Sequence, residues 1–214
     1  MTDHQSLISH LYDIGCVKFG QFRLKSGLTS PIYIDLRLLV SHPTVLKQVA
    51  QAMAALISQF FPSASLQGRS AILNSQFDRI AAIPYAGLPI GVAVALETGL
   101  PLIYPRKEAK DYGTARLIEG EYAVGETVLL VDDLITRGTA KIEALKPLTD
   151  AGLIVRDVLV LIDREQGGRA ELAAHGIRLH AVFTLSEMLG ALVQAGRLAH
   201  AQRADVLAWL RSTQ

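Results

Sequence analysis

Apolar residues recur along this chain at two spacings, and the switches between them mark out its elements. Leu7, Ile8, Leu11 and Tyr12 follow a polar start at helical spacing, and Gly15 is placed to close that helix in a left-handed conformation. Residues 19–25 and 31–37 alternate in part around Ser26-Gly-Leu-Thr-Ser30, which predicts two short strands joined by a turn. Pro43 opens the next helix, whose Val45, Val49, Met53, Leu56 and Ile57 share one face. Residues 62–76 turn polar and small and lose periodicity, so an exposed connection is expected there, the best place for an insertion.

From residue 80 onward, apolar runs at 80–83, 88–96, 102–104, 128–131, 142–148 and 154–162 read alternately as strand and helix. That alternation predicts an α/β fold, a mostly parallel twisted sheet with helices on both faces. Residues 106–122 break the rhythm with charges, glycines and no apolar stripe, which predicts a long mobile loop. Met188, Leu189, Leu192 and Val193 form one amphipathic helix near the end, and Val206, Leu207, Trp209 and Leu210 another, both as packing elements. No internal repeat stands out.

Composition narrows the class. With 214 residues, 50% hydrophobic and 19% charged, the chain suits one compact domain with a sizeable core. Its 21 basic and 20 acidic residues leave a net charge of +1, so neither a nucleic acid nor a membrane surface is an expected partner and any anion binding must be local. Cys16 is the single cysteine and reads as a small buried apolar residue. The start Met1-Thr-Asp-His-Gln-Ser lacks the features of a secretory signal, and no apolar run reaches the roughly 18 residues of a membrane span, so the cytoplasm is the expected compartment. His4, His10, His42, His175, His180 and His200 form no metal-ligand spacing.

Chemistry concentrates where predicted strands end. Apolar Val128 to Val131 lead into two carboxylates, Asp132 and Asp133, which suit vicinal sugar hydroxyls. Leu134 and Ile135 follow, then Thr136-Arg137-Gly138-Thr139-Ala140 supplies hydroxyls, a flexible glycine and backbone N–H groups at a helix start, a seat for a phosphate monoester. A ribose 5-phosphate fits along the segment; the plainer alternative is a strand whose acids only cap a helix. Pro84-Tyr-Ala-Gly-Leu-Pro89 follows another strand, and its small residues let backbone approach a diphosphate. The predicted loop brings Arg106, Lys107 and Lys110 together, with Tyr112 beside them, as neutralisation of a polyanion under a closing loop requires. Lys110 is the candidate catalytic cation, against the alternative of a solvated loop balanced by Glu108 and Asp111. Arg164, in Asp163-Arg-Glu-Gln-Gly-Gly168, has the planar fork that reads a carboxylate, unless it pairs with Asp163 or Glu165. Lys25 follows apolar residues and precedes a turn, which suits an ammonium aimed at a site, although spacing alone does not establish it.

The acid-acid-hydroxyl segment resembles the phosphoribosyl-diphosphate (PRPP) signature of the type I phosphoribosyltransferases. The segment around Lys25, residues 84–89, Arg106 to Gly113, the Asp132-Asp133 loop and Asp163 to Gly168 occur in the order found in the orotate phosphoribosyltransferase family. The likeness runs over roughly residues 5–195 and is nearest to the transferase portion of UMP synthase; the decarboxylase part is expected to be absent, since the chain ends at Gln214.

The resemblance implies the type I phosphoribosyltransferase fold over 1–214, with about 1–40 and part of the C-terminal region forming a small hood and about 41–185 the core. It implies conversion of orotate and PRPP into orotidine 5-monophosphate and diphosphate, in UMP synthesis. Lys25, Tyr85, Arg106, Lys107, Lys110 and Tyr112 would meet PRPP, chiefly its diphosphate. Asp132 and Asp133 would hold the ribose hydroxyls, residues 134–140 would line the sugar phosphate, and Lys25, Thr136 and Arg164 would bind orotate. Lys110, Asp132, Asp133 and Arg106 would carry catalysis. Mg2+ would be held mainly by PRPP and water, with no direct protein ligand, and a homodimer would bring each loop over its neighbour's site. Ala86 in place of a common lysine, the Tyr33-Ile34 pair and the bulky Arg137 depart from the family pattern. Transfer to another nucleobase, or a PRPP-binding regulator without turnover, are the rivals; Arg164 argues against the first and the intact 107–112 loop against the second.

Overall fold

A computed structural model describes residues 4–23, 27–60, 76–106 and 117–213. Helix α1 (His4–Asp13) buries Leu7, Ile8 and Leu11, and Gly15 follows it with φ +78°, as its spacing predicts. Strands β1 (Val17–Arg23) and β2 (Thr29–Ile34) form an antiparallel pair whose register shifts between Phe19 and Phe22. The second strand stops short of Arg37: Asp35 accepts the Arg37 N–H and starts a 3-10 turn over Leu36–Ser41 that alternation alone does not reveal. Helix α2 (Pro43–Phe60) then buries Val45, Val49, Met53 and Ile57 along the predicted face.

Among the described residues the central sheet has six strands in the order β5-β4-β3-β6-β7-β8: β3 (Arg79–Ala82), β4 (Leu102–Pro105), β5 (Ile118–Glu119), β6 (Thr127–Ile135), β7 (Ile154–Asp163) and β8 (Arg178–Thr184). All neighbours are parallel except β4 and β5. Helices α3 (Gly87–Thr98), α4 (Thr139–Asp150) and α5 (Gly168–Ala174) connect the strands, and α6 (Leu185–Gln194) and α7 (His200–Ser212) close the chain. The α/β expectation therefore holds. The predicted loop over 106–122 needs a correction, because Ile118 and Glu119 pair with Tyr104 and Pro105 as an added antiparallel strand. The strand predicted to end at the two acids also runs on, to Ile135.

Alternation along β6 and β7 divides the core. Leu129, Val131, Leu159 and Leu161 face one layer with Val49, Met53, Ile90 and Leu189, whereas Val128, Leu130, Val158 and Val160 face the other with Leu145, Leu148 and Leu172. A sheet covered on both faces is why these strands read as unbroken apolar runs. Among the described residues no helix is long and apolar enough to cross a membrane.

Candidate active site at the carboxyl edge of the sheet

Parallel strands bring their carboxyl ends to one edge, and the register shows which segments meet there. Ala82 pairs with Val131, Ile135 with Asp163, and Asp163 with Thr184, so the segments after β3, β6 and β7 leave the sheet side by side. Two backbone bonds tie the last two together: Arg164 N–H donates to the Ile135 carbonyl at 3.0 Å and Gly168 N–H to the Thr136 carbonyl at 2.9 Å.

A cavity of about 300 Å³ opens at the end of β6, lined by Asp133, Leu134, Thr136, Arg137, Gly138, Thr139, Ala140 and Lys141. Gly138 caps α4 with φ +88°, a conformation that side chains resist, and so turns the loop into the helix with its first N–H groups directed outward. Gly168 sits under this loop; a Cβ there would stand 2.7 Å from the Thr136 carbonyl oxygen. The result is a cup of hydroxyls and N–H donors at a helix N-terminus, the arrangement that receives a phosphate. Ile135, in the same segment, points into the core and is fully buried.

The two acids differ sharply. Asp132 is buried, with Oδ2 at 2.5 Å from Lys141 Nζ and Oδ1 accepting the Asp133 N–H at 2.8 Å. Asp133 is half-buried and faces the cavity, its Oδ1 accepting the Leu134 N–H at 2.7 Å. Burial pushes the Asp133 carboxyl up to about 7, and the neighbouring Asp132 charge adds to the rise while Lys141 opposes it. Lys141 is the site residue that motif reasoning missed. A cation in the first turn of a helix lies against the helix dipole, and that was the available signal.

Arg164 leaves β7 beside this cup. Its Nε is buried with no hydrogen-bond partner among the described residues, and burial lowers the guanidinium from its usual range. Asp163, one of its suggested partners, is engaged elsewhere: it accepts the Glu165 N–H at 2.9 Å and lies 3.2 Å from Arg169 Nη2. Glu165 in turn accepts the Ser186 N–H at 2.7 Å, which fastens the Arg164 turn to the start of α6.

A second cavity of about 330 Å³ lies between the ends of β3 and β4 and the flank of α4, with Ile83, Pro84, Arg106, Ala140 and Glu143 on its walls. Arg106 reaches Glu119 at 2.7 Å. Tyr85, after β3, is two-thirds exposed. Lys25, Lys107, Lys110 and Tyr112 lie outside the described residues.

No family model matches the chain. Curated relatives do. It is 36% identical over 201 residues to orotate phosphoribosyltransferase of Caenorhabditis elegans, covering 94% of this chain and 83% of that one. The chain belongs to the orotate phosphoribosyltransferase family. It is also 45% identical over 193 residues to uridine 5'-monophosphate synthase of Bos taurus, across 90% of this chain but 38% of the bovine one. Among solved structures, UMP synthase of Leishmania donovani superposes with a TM-score of 0.82 at 40% identity, over 97% of this chain and 42% of that one. The chain thus spans about two fifths of these longer relatives.

Proposed function

We propose that this chain transfers the phosphoribosyl group of PRPP to orotate, giving orotidine 5-monophosphate and diphosphate in UMP synthesis. The observation that carries the choice of base is Arg164, a half-buried arginine whose Nε is buried and has no hydrogen-bond partner among the described residues, beside a phosphate-receiving cup. Desolvating such a group without a hydrogen bond is unfavourable, and a planar carboxylate is the ligand its fork suits.

In this reading Thr136, Arg137, Gly138, Thr139 and Ala140 take the 5-phosphate, while the Asp132-Asp133 pair grips the ribose. Orotate lies against Arg164, Thr136 and Lys25, its N1 facing the anomeric carbon. The bond from that carbon to the diphosphate oxygen breaks as the bond to N1 forms, the electron pair leaves with the diphosphate, and N1 loses its proton. Orientation supplies much of the acceleration. Arg106 and Lys110 stabilise the departing charge, with Lys107, Tyr112, Tyr85 and Lys25 as further diphosphate contacts. Mg2+ would neutralise part of the diphosphate. The N–H and hydroxyl donors of the cavity receive anions, and its one partly open carboxylate, Asp133, is not a set of metal ligands, which fits a cation carried in by PRPP and water.

A homodimer in the cytoplasm completes the proposal, the loop that carries Lys107, Lys110 and Tyr112 acting over the neighbouring subunit's site; Val92 and Leu96, exposed on α3, leave an apolar face for a second copy. The β1–β2 pair with α1, α6 and α7 forms the hood and the rest the core. The deciding experiment follows consumption of orotate with PRPP and magnesium beside uracil, adenine and hypoxanthine. Orotate alone should react, and Lys110→Ala should remove most turnover. Reaction with a purine only would overturn the base, and full turnover in Lys110→Ala would overturn the role of that lysine.

A further inference from the structure

The turn that carries Arg164 is tied to three elements. Beyond its backbone bonds to the end of β6 and the Glu165 bond to α6, Gln166 reaches the end of α7, where its side-chain amide donates to Thr213 Oγ1 at 3.1 Å. Among the described residues Glu165 alone, glycines aside, has a positive φ, +57°, a conformation that persists only where the surroundings hold it. Gln166, the next residue, presents an acceptor. The Thr213 hydroxyl lies 3.2 Å from the carbonyls of Trp209 and Leu210, so its single proton is committed to them and it can only accept from Gln166. The amide is therefore set with its NH2 group toward Thr213, and Oε1 is the end left over. Gln166 is 7% exposed, and its Oε1 is buried with no hydrogen-bond partner among the described residues. Two residues away, Arg164 Nε is a buried donor in the same condition. A buried donor and a buried acceptor left open on one strained turn are unfavourable unless a further arrangement uses both.

We propose that Gln166 is a positioning residue for Arg164: with orotate bound, its Oε1 accepts from one terminal N–H of the guanidinium and so turns the edge formed by Nε and the other terminal nitrogen toward the orotate carboxylate. The inference rests on the orotate reading and deepens it. A guanidinium is planar, so fixing one of its N–H groups fixes the direction of the rest. A carboxylate taken on the Nε edge receives two parallel hydrogen bonds, and that arrangement answers Arg164 Nε and Gln166 Oε1 together. Without the acceptor Arg164 still meets orotate, but the ligand alone has to order it, which weakens binding.

The test is a cycle in the intact chain of Gln166→Met, Arg164→Met and the double variant, read as kcat/KM for orotate, KM for PRPP and melting temperature. Methionine keeps the length of the side chain and removes the acceptor. Gln166→Met should lower kcat/KM for orotate by about ten- to a hundredfold, the range for one hydrogen bond to a charged group, through KM more than kcat and with KM for PRPP unchanged. In the Arg164→Met background the same substitution should change it by less than about twofold, because Gln166 then has nothing to hold. Thr213→Val removes the tie to α7 but leaves Oε1 in place, so it should cost less in orotate kinetics than Gln166→Met. Equal losses in these two variants would make Gln166 only a tie between turn and helix, and losses that add in the double variant would mean that it acts independently of Arg164. Either result overturns the proposal, as do unchanged orotate kinetics in Gln166→Met. Should the methionine variant not fold, Gln166→Ser carries the same cycle. Intact orotate kinetics in Arg164→Met would defeat the base assignment itself, whereas a loss there with none in Gln166→Met would defeat the positioning role alone.

Discussion

The two ends of one sheet treat their charges in opposite ways. At the amino ends of the strands, Arg79 makes a paired contact with Glu126 at 2.5 Å, and the Thr127 N–H donates to Asp78 at 2.7 Å. Asp157, buried in β7, accepts from Arg178 at 2.8 Å and meets His180 Nε2 at 2.8 Å. At the carboxyl ends, Arg164 Nε has no partner among the described residues, and burial beside Asp132 drives the Asp133 carboxyl up to about 7. Both edges bury polar groups, Asp157 at one and Arg164 Nε at the other, so desolvation alone does not separate them. The difference is completion: the amino edge answers these groups from within, whereas at the carboxyl edge, beside the internally paired Asp132, Arg164 Nε and the Asp133 carboxyl facing the cavity are left for something that arrives.

The contrast is sharpest at Arg164. Arg164→Met keeps the aliphatic stem and removes the fork. We expect kcat/KM for orotate to fall by about 10²–10³-fold, the range for truncating a buried hydrogen-bonded charge, with KM for PRPP little changed. Melting temperature should hold or rise, because a buried Nε with no partner among the described residues no longer has to be desolvated. Steady-state kinetics on both substrates plus calorimetry decide this; a less stable variant with unchanged orotate kinetics would place Arg164 among the structural charges of the other edge.

The asymmetry also governs what could be read from sequence. The apolar runs of β6 and β7 announced themselves because each strand is buried on both faces, and the acids, hydroxyls and glycine that follow β6 are contiguous. Strand β8 stayed hidden: Arg178 and His180 interrupt its apolar pattern, and their partner Asp157 lies in another strand 21 and 23 residues earlier. Two-residue β5 is too short for any periodicity, and its pairing with β4 is a tertiary event. The unequal fates of Asp132 and Asp133 were equally unreadable. They depend on Lys141 from α4 and on Gly87 from α3, elements that meet only in the folded chain. Motifs report residue types along a line; whether a charge is satisfied is a property of what packs beside it.

At the opposite edge the prediction inverts. Asp157→Ala removes the acceptor that His180 and Arg178 share; Arg178 is 59% exposed and water can take it up, so the cost is that of losing hydrogen bonds to a buried carboxylate, about 2 kcal/mol. Activity per folded molecule should be unchanged. Burial would raise the Asp157 carboxyl, but hydrogen bonds from His180 and Arg178 outweigh it and hold the group below its ordinary value. A depressed carboxyl contributes stability that is present above its unfolded pKa and lost as pH falls through the folded one. The parent chain should therefore lose stability on acidification more steeply than Asp157→Ala. Denaturant melts at descending pH measure this; parallel curves would remove Asp157 as the source of the slope.

The smallest effect tests whether burial, and not charge pairing as such, gives the amino edge its strength. Lys146 and Asp150 form an i,i+4 pair on α4 at 2.7 Å, as short as the contacts of Asp157, but with side chains 76% and 57% exposed. Water already solvates both ions, and holding two mobile side chains together offsets most of their attraction. Asp150→Ala should change stability by less than about 0.5 kcal/mol, and that little should vanish at high salt. A loss approaching that of Asp157→Ala would mean that distance alone sets the strength of these pairs, and the contrast between the two ends of the sheet would then have to be drawn from geometry without reference to solvent.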